Sequence, residues 1–118
     1  MEHDVAAATL AELGNRHRLA IFRYLVKAGH QGASVGEIQH ALGIPHSTLS
    51  HHLTRMAHVG LITQRRQGRT LFSLPNYTQL YALMGFLSAE CCIGHADTTV
   101  QAPTVDDDNF DNRAARER

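Results

Sequence analysis

Apolar residues recur along this chain in short blocks of helical spacing, interrupted by glycines and by one stretch that alternates like a β-hairpin. Val5–Leu13 is rich in Ala and Leu and predicts a helix that stops at Gly14. Asn15 is placed to cap a second helix, Arg16–Ala28, whose Leu19, Phe22, Leu25 and Val26 predict one packed face. Gly29 and Gly32 break it. Ser34-Val-Gly-Glu37 has the spacing of a capping box and opens a third helix carrying Val35, Ile38 and Leu42, with Gly43 as its stop. Ile44-Pro45 makes a turn into a fourth helix, His46 to Val59. On the fourth helix Leu49, Leu53 and Met56 share an inward stripe, and Ser47, Ser50, His51 and Thr54 share the opposite face.

After Gly60, the segment LITQRRQGRTLFSL predicts two strands around a Gln67-Gly68 turn. Pro75 and Asn76 open a last helix, Tyr77 to about Cys92, with Tyr77, Leu80, Tyr81, Met84, Leu87 and Ser88 at helical spacing and Gly94 at its end. Residues 96–118 are polar and charged with little apolar periodicity, the signature of a disordered tail. The expectation is one mainly α domain over residues 1–95 with a small β-hairpin, a winged helix-turn-helix, followed by an acidic tail over 96–118.

Charge changes the picture more than composition does. Eleven basic and eleven acidic residues give a formal net charge of zero, which alone argues against a polyanionic partner. Yet no Asp or Glu occurs from Ile38 to Ala89, and six of the acids lie beyond His95. The centre of the chain is basic and its end acidic. No segment has the length of apolar residues that a membrane span needs, and the first residues lack the basic stretch of a signal peptide, so a cytoplasmic protein is expected. The two cysteines, Cys91 and Cys92, are adjacent and exclude a structural disulfide framework.

Two helices joined by a short Gly-containing turn, with short polar groups on the outer face of the second, have the chemistry to read a double-stranded DNA operator. Ser47, Thr48, Ser50 and His51 stand near the start of that helix, able to approach base edges or phosphates, and Arg55 flanks the same face. Arg65, Arg66 and Arg69 surround Gly68 at the hairpin tip, where long cations reach phosphates or a minor groove. His52 flanks the buried stripe and fits a hydrogen-bonded structural role better than base reading. His46, His51, His52 and His58 on one helix raise a metal cluster as an alternative to DNA contact. A protein-interaction module remains a further alternative, opposed by the arginine-tipped hairpin. No carboxylate pair, nucleophile with an oriented base, or phosphate loop suggests an enzyme.

STLSHHLTRMAHVGLITQRRQGRTLFSL resembles the recognition helix and wing of the ArsR/SmtB family of winged-helix repressors. The resemblance is carried by Ser47, Ser50, His52-Leu53, Gly60-Leu61-Ile62, Arg65, Gly68-Arg69 and Leu74, and LAELGNRHRLAIFRYL with Arg18 resembles the family's second helix. It covers roughly residues 8–92. It implies a homodimer built through the first and last helices and operator repression relieved by an inducer.

The usual arsenic site of the family is a cysteine pair on the third helix, and here SVGEIQHALG has none. The zinc-type site needs acids and imidazoles on the last helix, and Tyr77–Ala89 has neither. Cys91 and Cys92 remain, and some members of the family carry arsenic-binding cysteines at this end of the chain. Vicinal thiolates suit thiophilic centres such as trivalent arsenic or antimony species, organoarsenicals among them. His95 adds a nitrogen ligand if the ion is cadmium, zinc or mercury. No resident cofactor is expected. The alternatives are cysteines packed as small hydrophobes at a dimer interface, or a redox or reactive-sulfur sensor.

Overall fold

The computed structural model describes residues 1–94; the expected tail, the expected boundary after residue 95, and His95 itself lie outside the described residues. Met1–Ser88 forms one unit, and the chain from Ala89 belongs to a second. In the first unit the order is α1 (His3–Leu13), α2 (Arg16–Ala28), a 3₁₀ turn (Gly29–Gln31), β1 (Ala33–Ser34), α3 (Val35–Leu42), α4 (His46–His58), β2 (Ile62–Gln67), β3 (Thr70–Pro75) and α5 (Tyr77–Ser88). Among the described residues no helix is long and apolar enough to cross a membrane.

Local chemistry sets most of these boundaries. Asn15 Oδ1 accepts from the backbone N–H groups of His17 and Arg18 at 2.9 and 3.1 Å, so α2 starts where the capping signal places it. The Ser34–Glu37 capping box is formed in both directions, at 2.8 and 3.1 Å. Gly43 ends α3 in the left-handed conformation. Ile44, 4 % exposed, plugs the turn between α3 and α4 into the core.

That core is Ile21, Phe22 and Leu25 of α2, Ile38 of α3, Leu49, Leu53 and Met56 of α4, and Ala33, Ile44, Leu61 and Ile62 around them. The inward stripe of α4 is as its spacing predicts. On α2 the buried stripe is Arg18, Ile21, Phe22 and Leu25, whereas Leu19 and Val26 are exposed, contrary to expectation. An apolar count cannot see a buried arginine, and burying Arg18 rotates the packed face by one position.

The wing is a three-stranded antiparallel sheet of order β1-β3-β2 rather than a lone hairpin. β1 pairs only Ala33 with Ser73 and Ser34 with Phe72. Gln67 opposes Thr70, so the two-residue turn is Gly68-Arg69, one position later than predicted, with Gly68 at φ 65°. Gly32 lets β1 approach β3. Its φ is +73°, and a Cβ there would stand 2.7 Å from the Ser73 carbonyl oxygen and 2.8 Å from Leu74 Cγ.

α5 ends at Ser88, four residues short of the predicted stop, and Ser88 Oγ turns back to donate to the Met84 carbonyl at 3.0 Å. Of its side chains only Leu83 is buried; Tyr81, Met84 and Leu87 are exposed. The N-terminus of α5 is tied to its neighbours by polar bonds. Asn76 Nδ2 donates to the Gly60 carbonyl at 2.9 Å, and Gln79 Nε2 donates to Thr9 Oγ1 of α1 at 3.2 Å.

A charged cluster joins α1, α2 and α4. Glu12, buried on α1, receives Arg55 of α4 through two bonds of 3.0 Å, Nε to Oε1 and Nη2 to Oε2. Arg18 Nε donates to the Glu12 backbone carbonyl at 2.6 Å and lies 3.1 Å from Glu12 Oε1. Arg18 Nη1 stands 3.3 Å from His52 Nδ1. A guanidinium only donates, so Nδ1 accepts and His52 is a neutral ring carrying its proton on Nε2.

The Arg55 hydrogen bond, joined by the Arg18 and Arg55 charges and opposed by burial, holds the Glu12 carboxyl below its ordinary 4.5. Burial, then the Arg18 charge, holds His52 below its ordinary 6.5.

Both shifts make acid destabilising. The unfolded state takes up the His52 proton first, so the neutral ring's full contribution, present above about pH 6.5, falls as pH drops towards the folded value. Glu12 adds stability that is complete above about pH 4.5 and is lost as pH falls through its depressed folded value. Thermal melts from pH 8 to 3 should show the midpoint falling in two stages, with His52→Gln removing the upper one; a midpoint flat from pH 7 to 5 would contradict the neutral His52. Gly32→Ala should cost about 1–3 kcal/mol in denaturant unfolding, through strain at positive φ and overlap with β3.

Candidate nucleic-acid interface

α4 presents a surface of short polar side chains at its N-terminal half. Ser47, Thr48 and His51 are exposed and Ser50 is half-buried. Pro45 precedes the helix and no side chain caps it, while Leu49 N–H donates to the Pro45 carbonyl at 2.9 Å. The N–H groups of the first turn before Leu49 therefore face outward, in the arrangement that attracts phosphate at helix starts. Thr54 donates its hydroxyl to the Ser50 carbonyl at 3.0 Å and spends it on its own helix.

The same helix buries Leu49, His52, Leu53 and Met56. His52 thus belongs to the interior, held by Arg18, in the structural role that its position predicts. The rings of His17 and His51 flank it at centroid distances of 5.9 and 6.3 Å. Among the described residues no group of three His, Cys, Asp or Glu is arranged to hold a metal ion. Arg55 lies one turn beyond His51, its side chain about half exposed and the Nε–Nη2 edge of its guanidinium engaged by Glu12. Sequence reasoning missed this partner; the signal was an acid in the last turn of an Ala- and Leu-rich helix, at helical spacing from the buried Thr9.

The wing places Arg65, Arg66 and Arg69 on exposed positions of the hairpin. Arg65 is anchored: its Nη2 donates to the Gln31 carbonyl at 3.1 Å, and its guanidinium carbon lies 5.4 Å from the centroid of the Phe72 ring. Arg66 and Arg69 have no acidic partner among the described residues. The structure thus brings the short polar side chains together on one helix and the cations together on the wing.

Cys91 and Cys92 follow the end of α5 in a run of turns instead of lying on the helix. Glu90 and Cys92 have positive φ, 62° and 65°, which no α-helix accommodates. Both thiols are exposed, and their sulfurs are 3.3 Å apart. The hydrogen bond to Cys91, then the charge Cys91 would carry, pushes the Cys92 thiol above the ordinary value.

Residues 13–65 match the model of a helix-turn-helix domain family. The chain is 31 % identical over 85 residues to the nodulation protein NolR of Rhizobium meliloti, covering 72 % of this chain and 67 % of that protein. Among solved structures it is similar to HlyU from Vibrio cholerae, with 30 % identity, a TM-score of 0.61, and coverage of 78 % of this chain and 99 % of that one. It is also similar to Mb0332 from Mycobacterium bovis, a homodimeric winged helix-turn-helix DNA-binding domain described as a possible ArsR-family transcriptional regulator. That match has 26 % identity, a TM-score of 0.58, and coverage of 85 % and 89 % of the two chains. With its recognition helix, its arginine-tipped wing and these relatives, the chain belongs to the ArsR/SmtB-like family of winged helix-turn-helix transcriptional regulators.

Proposed function

We propose that this chain is a homodimeric cytoplasmic repressor that leaves its operator when a trivalent arsenic or antimony species bridges Cys91 and Cys92. The observation that carries the inducer is the exposed pair of sulfurs 3.3 Å apart. A tetrahedral zinc site with Zn–S of about 2.3 Å would spread two sulfurs to about 3.8 Å. A pyramidal trivalent arsenic centre has a narrower S–As–S angle and draws them closer, and its softness favours thiolates. Two sulfurs complete the coordination of a mono-organic arsenical, which already carries one carbon ligand. Inorganic arsenite or antimonite would take a third donor from the partner subunit or a small thiol.

DNA binding divides between the two surfaces. Ser47, Thr48, Ser50 and His51 meet base edges and nearby phosphates in the major groove, and Arg65, Arg66 and Arg69 meet the backbone beside it. Arg55 enters this reading through its pair with Glu12. The exposed Val5 and Leu10 of α1 and Tyr81, Met84 and Leu87 of α5 supply the apolar surface of a dimer. Mb0332, which shares the fold, is described as homodimeric. Release requires only that the bridged pair and DNA favour different dimer geometries.

Binding to DNA from upstream of its own gene should weaken steeply with salt. Arg66→Ala and Arg69→Ala should each make the slope of log K against log salt shallower by about 0.9 for every phosphate left unneutralised. Ser47→Ala and His51→Ala should instead reduce discrimination between operator and unrelated DNA by about 1–3 kcal/mol for every base that is no longer read. Fluorescence anisotropy with unchanged slopes in both wing variants would remove the wing from the interface.

Phenylarsenite, methylarsenite, arsenite and antimonite, titrated beside cadmium and zinc, should show release by trivalent arsenicals in wild type and none in Cys91→Ser or Cys92→Ser. DNA binding indifferent to all of them would discard the metalloid reading. Release by oxidants or persulfides alone would replace it with a thiol redox sensor.

A further inference from the structure

We infer that Glu12 is a specificity-determining residue for DNA binding: by holding Arg55 in a two-bond ion pair, it withholds that cation from phosphate and keeps the recognition helix dependent on its short polar side chains. The inference rests on the DNA-binding reading of α4 and the wing.

Four arginines and no lysines lie between Ile38 and Ala89, and Arg55 is the one on α4. On the wing Arg66 and Arg69 lack an acidic partner among the described residues, whereas Arg55 is neutralised through its Nε–Nη2 edge by a carboxylate of α1. The Glu12 side chain is only 12 % exposed against 48 % for Arg55, so solvent can replace Glu12 for Arg55 far more readily than it can replace Arg55 for Glu12.

Exchanging Glu12 for a DNA phosphate would give Arg55 one anion for another. Glu12 would be left with Arg18 as its remaining arginine partner, and the N–H donors of Arg18 are also engaged with the Glu12 carbonyl and His52. The exchange therefore gains no ion pair and strands part of a buried charge. A phosphate contact is sequence-blind, so a released Arg55 would raise affinity for any duplex and dilute what Ser47, Thr48, Ser50 and His51 read.

The test is the salt dependence of anisotropy titrations on operator and on scrambled duplex, for wild type, Glu12→Gln, Arg55→Ala and the double variant, with circular dichroism confirming the fold. Arg55→Ala should leave the slope of log K against log salt as in wild type. Glu12→Gln should steepen it by about 0.9 per subunit, which enlarges the loss of affinity between 50 and 200 mM salt about 3.5-fold per subunit, with scrambled DNA gaining most. The double variant should return to the wild-type slope.

A slope made shallower by about 0.9 in Arg55→Ala would show that Arg55 already binds phosphate and would overturn the inference. So would a gain in Glu12→Gln that survives in the double variant, since that gain would come from removing a negative charge and not from freeing Arg55. If Glu12→Gln does not fold, Arg55→Ala alone decides by the same criterion. Wild type that binds no DNA at all would instead defeat the DNA-binding reading, an outcome distinct from any change of slope.

Discussion

The Glu12 carboxylate, shared by Arg18 and Arg55, is the interaction on which the working parts of this fold depend. α1 lies at the edge of the core, contributing Ala6, Thr9 and Glu12 as its buried residues. Apolar contact alone would let such a helix slide, because a surface of alanines has little shape to register. Directional bonds of 3.0 Å to α4 and the short bond from Arg18 to the end of α1 remove that freedom. Arg18 extends the cluster to His52, so α1, α2 and α4 meet at one set of fixed distances. Through Thr9 and Gln79 the same α1 is bonded to α5. The helix presenting polar groups outward is thus referenced to both outer helices by polar bonds, while Leu49, Leu53 and Met56 supply its burial.

Charge is distributed with the same economy. An acid-free stretch from Ile38 to Ala89 would make every cation in it a non-specific DNA contact, if sequence were the whole account. Folding returns one acid to that region from α1, at the helix and not at the wing. The positive field is concentrated at the hairpin and the helix is left nearly neutral. Under the proposed DNA-binding mode, affinity would then reside on the wing and selectivity on the helix, two elements that mutation can alter separately.

What could be read from the sequence was what local chemistry determines. Asn15, the Ser34–Glu37 box and Gly43 fix helix ends through bonds spanning two to four residues, and the α4 stripe follows from helical geometry alone. What escaped was set by partners distant in the chain. β1 is two residues long and exists because β3, some forty residues later, lies beside it. The packed face of α2 turns on Arg18, whose burial depends on Glu12 and His52. Glu12 and Arg55 are 43 residues apart, and nothing in either neighbourhood announces the other. The end of α5 was missed because Glu90 and Cys92 adopt positive φ without a glycine to signal it. The outward polar face of α4 and the wing arginines were legible, since an exposed position needs no partner to be identified.

The wing also has a mechanical consequence. Beyond Ile62 every residue of β2 is exposed, while the sheet is tied at its base by β1 against Phe72 and Ser73 and by Arg65 on the Gln31 carbonyl. The outer ladder from Arg66–Leu71 to the Gly68-Arg69 turn therefore extends past its supports as a cantilever. Lengthening both strands by two residues keeps each side chain on its own face and moves the tip outward by about 7 Å. A single-residue change per strand would instead turn the arginines to the opposite face. The position of the wing tip is thus adjustable in even steps of hairpin length, independently of the core.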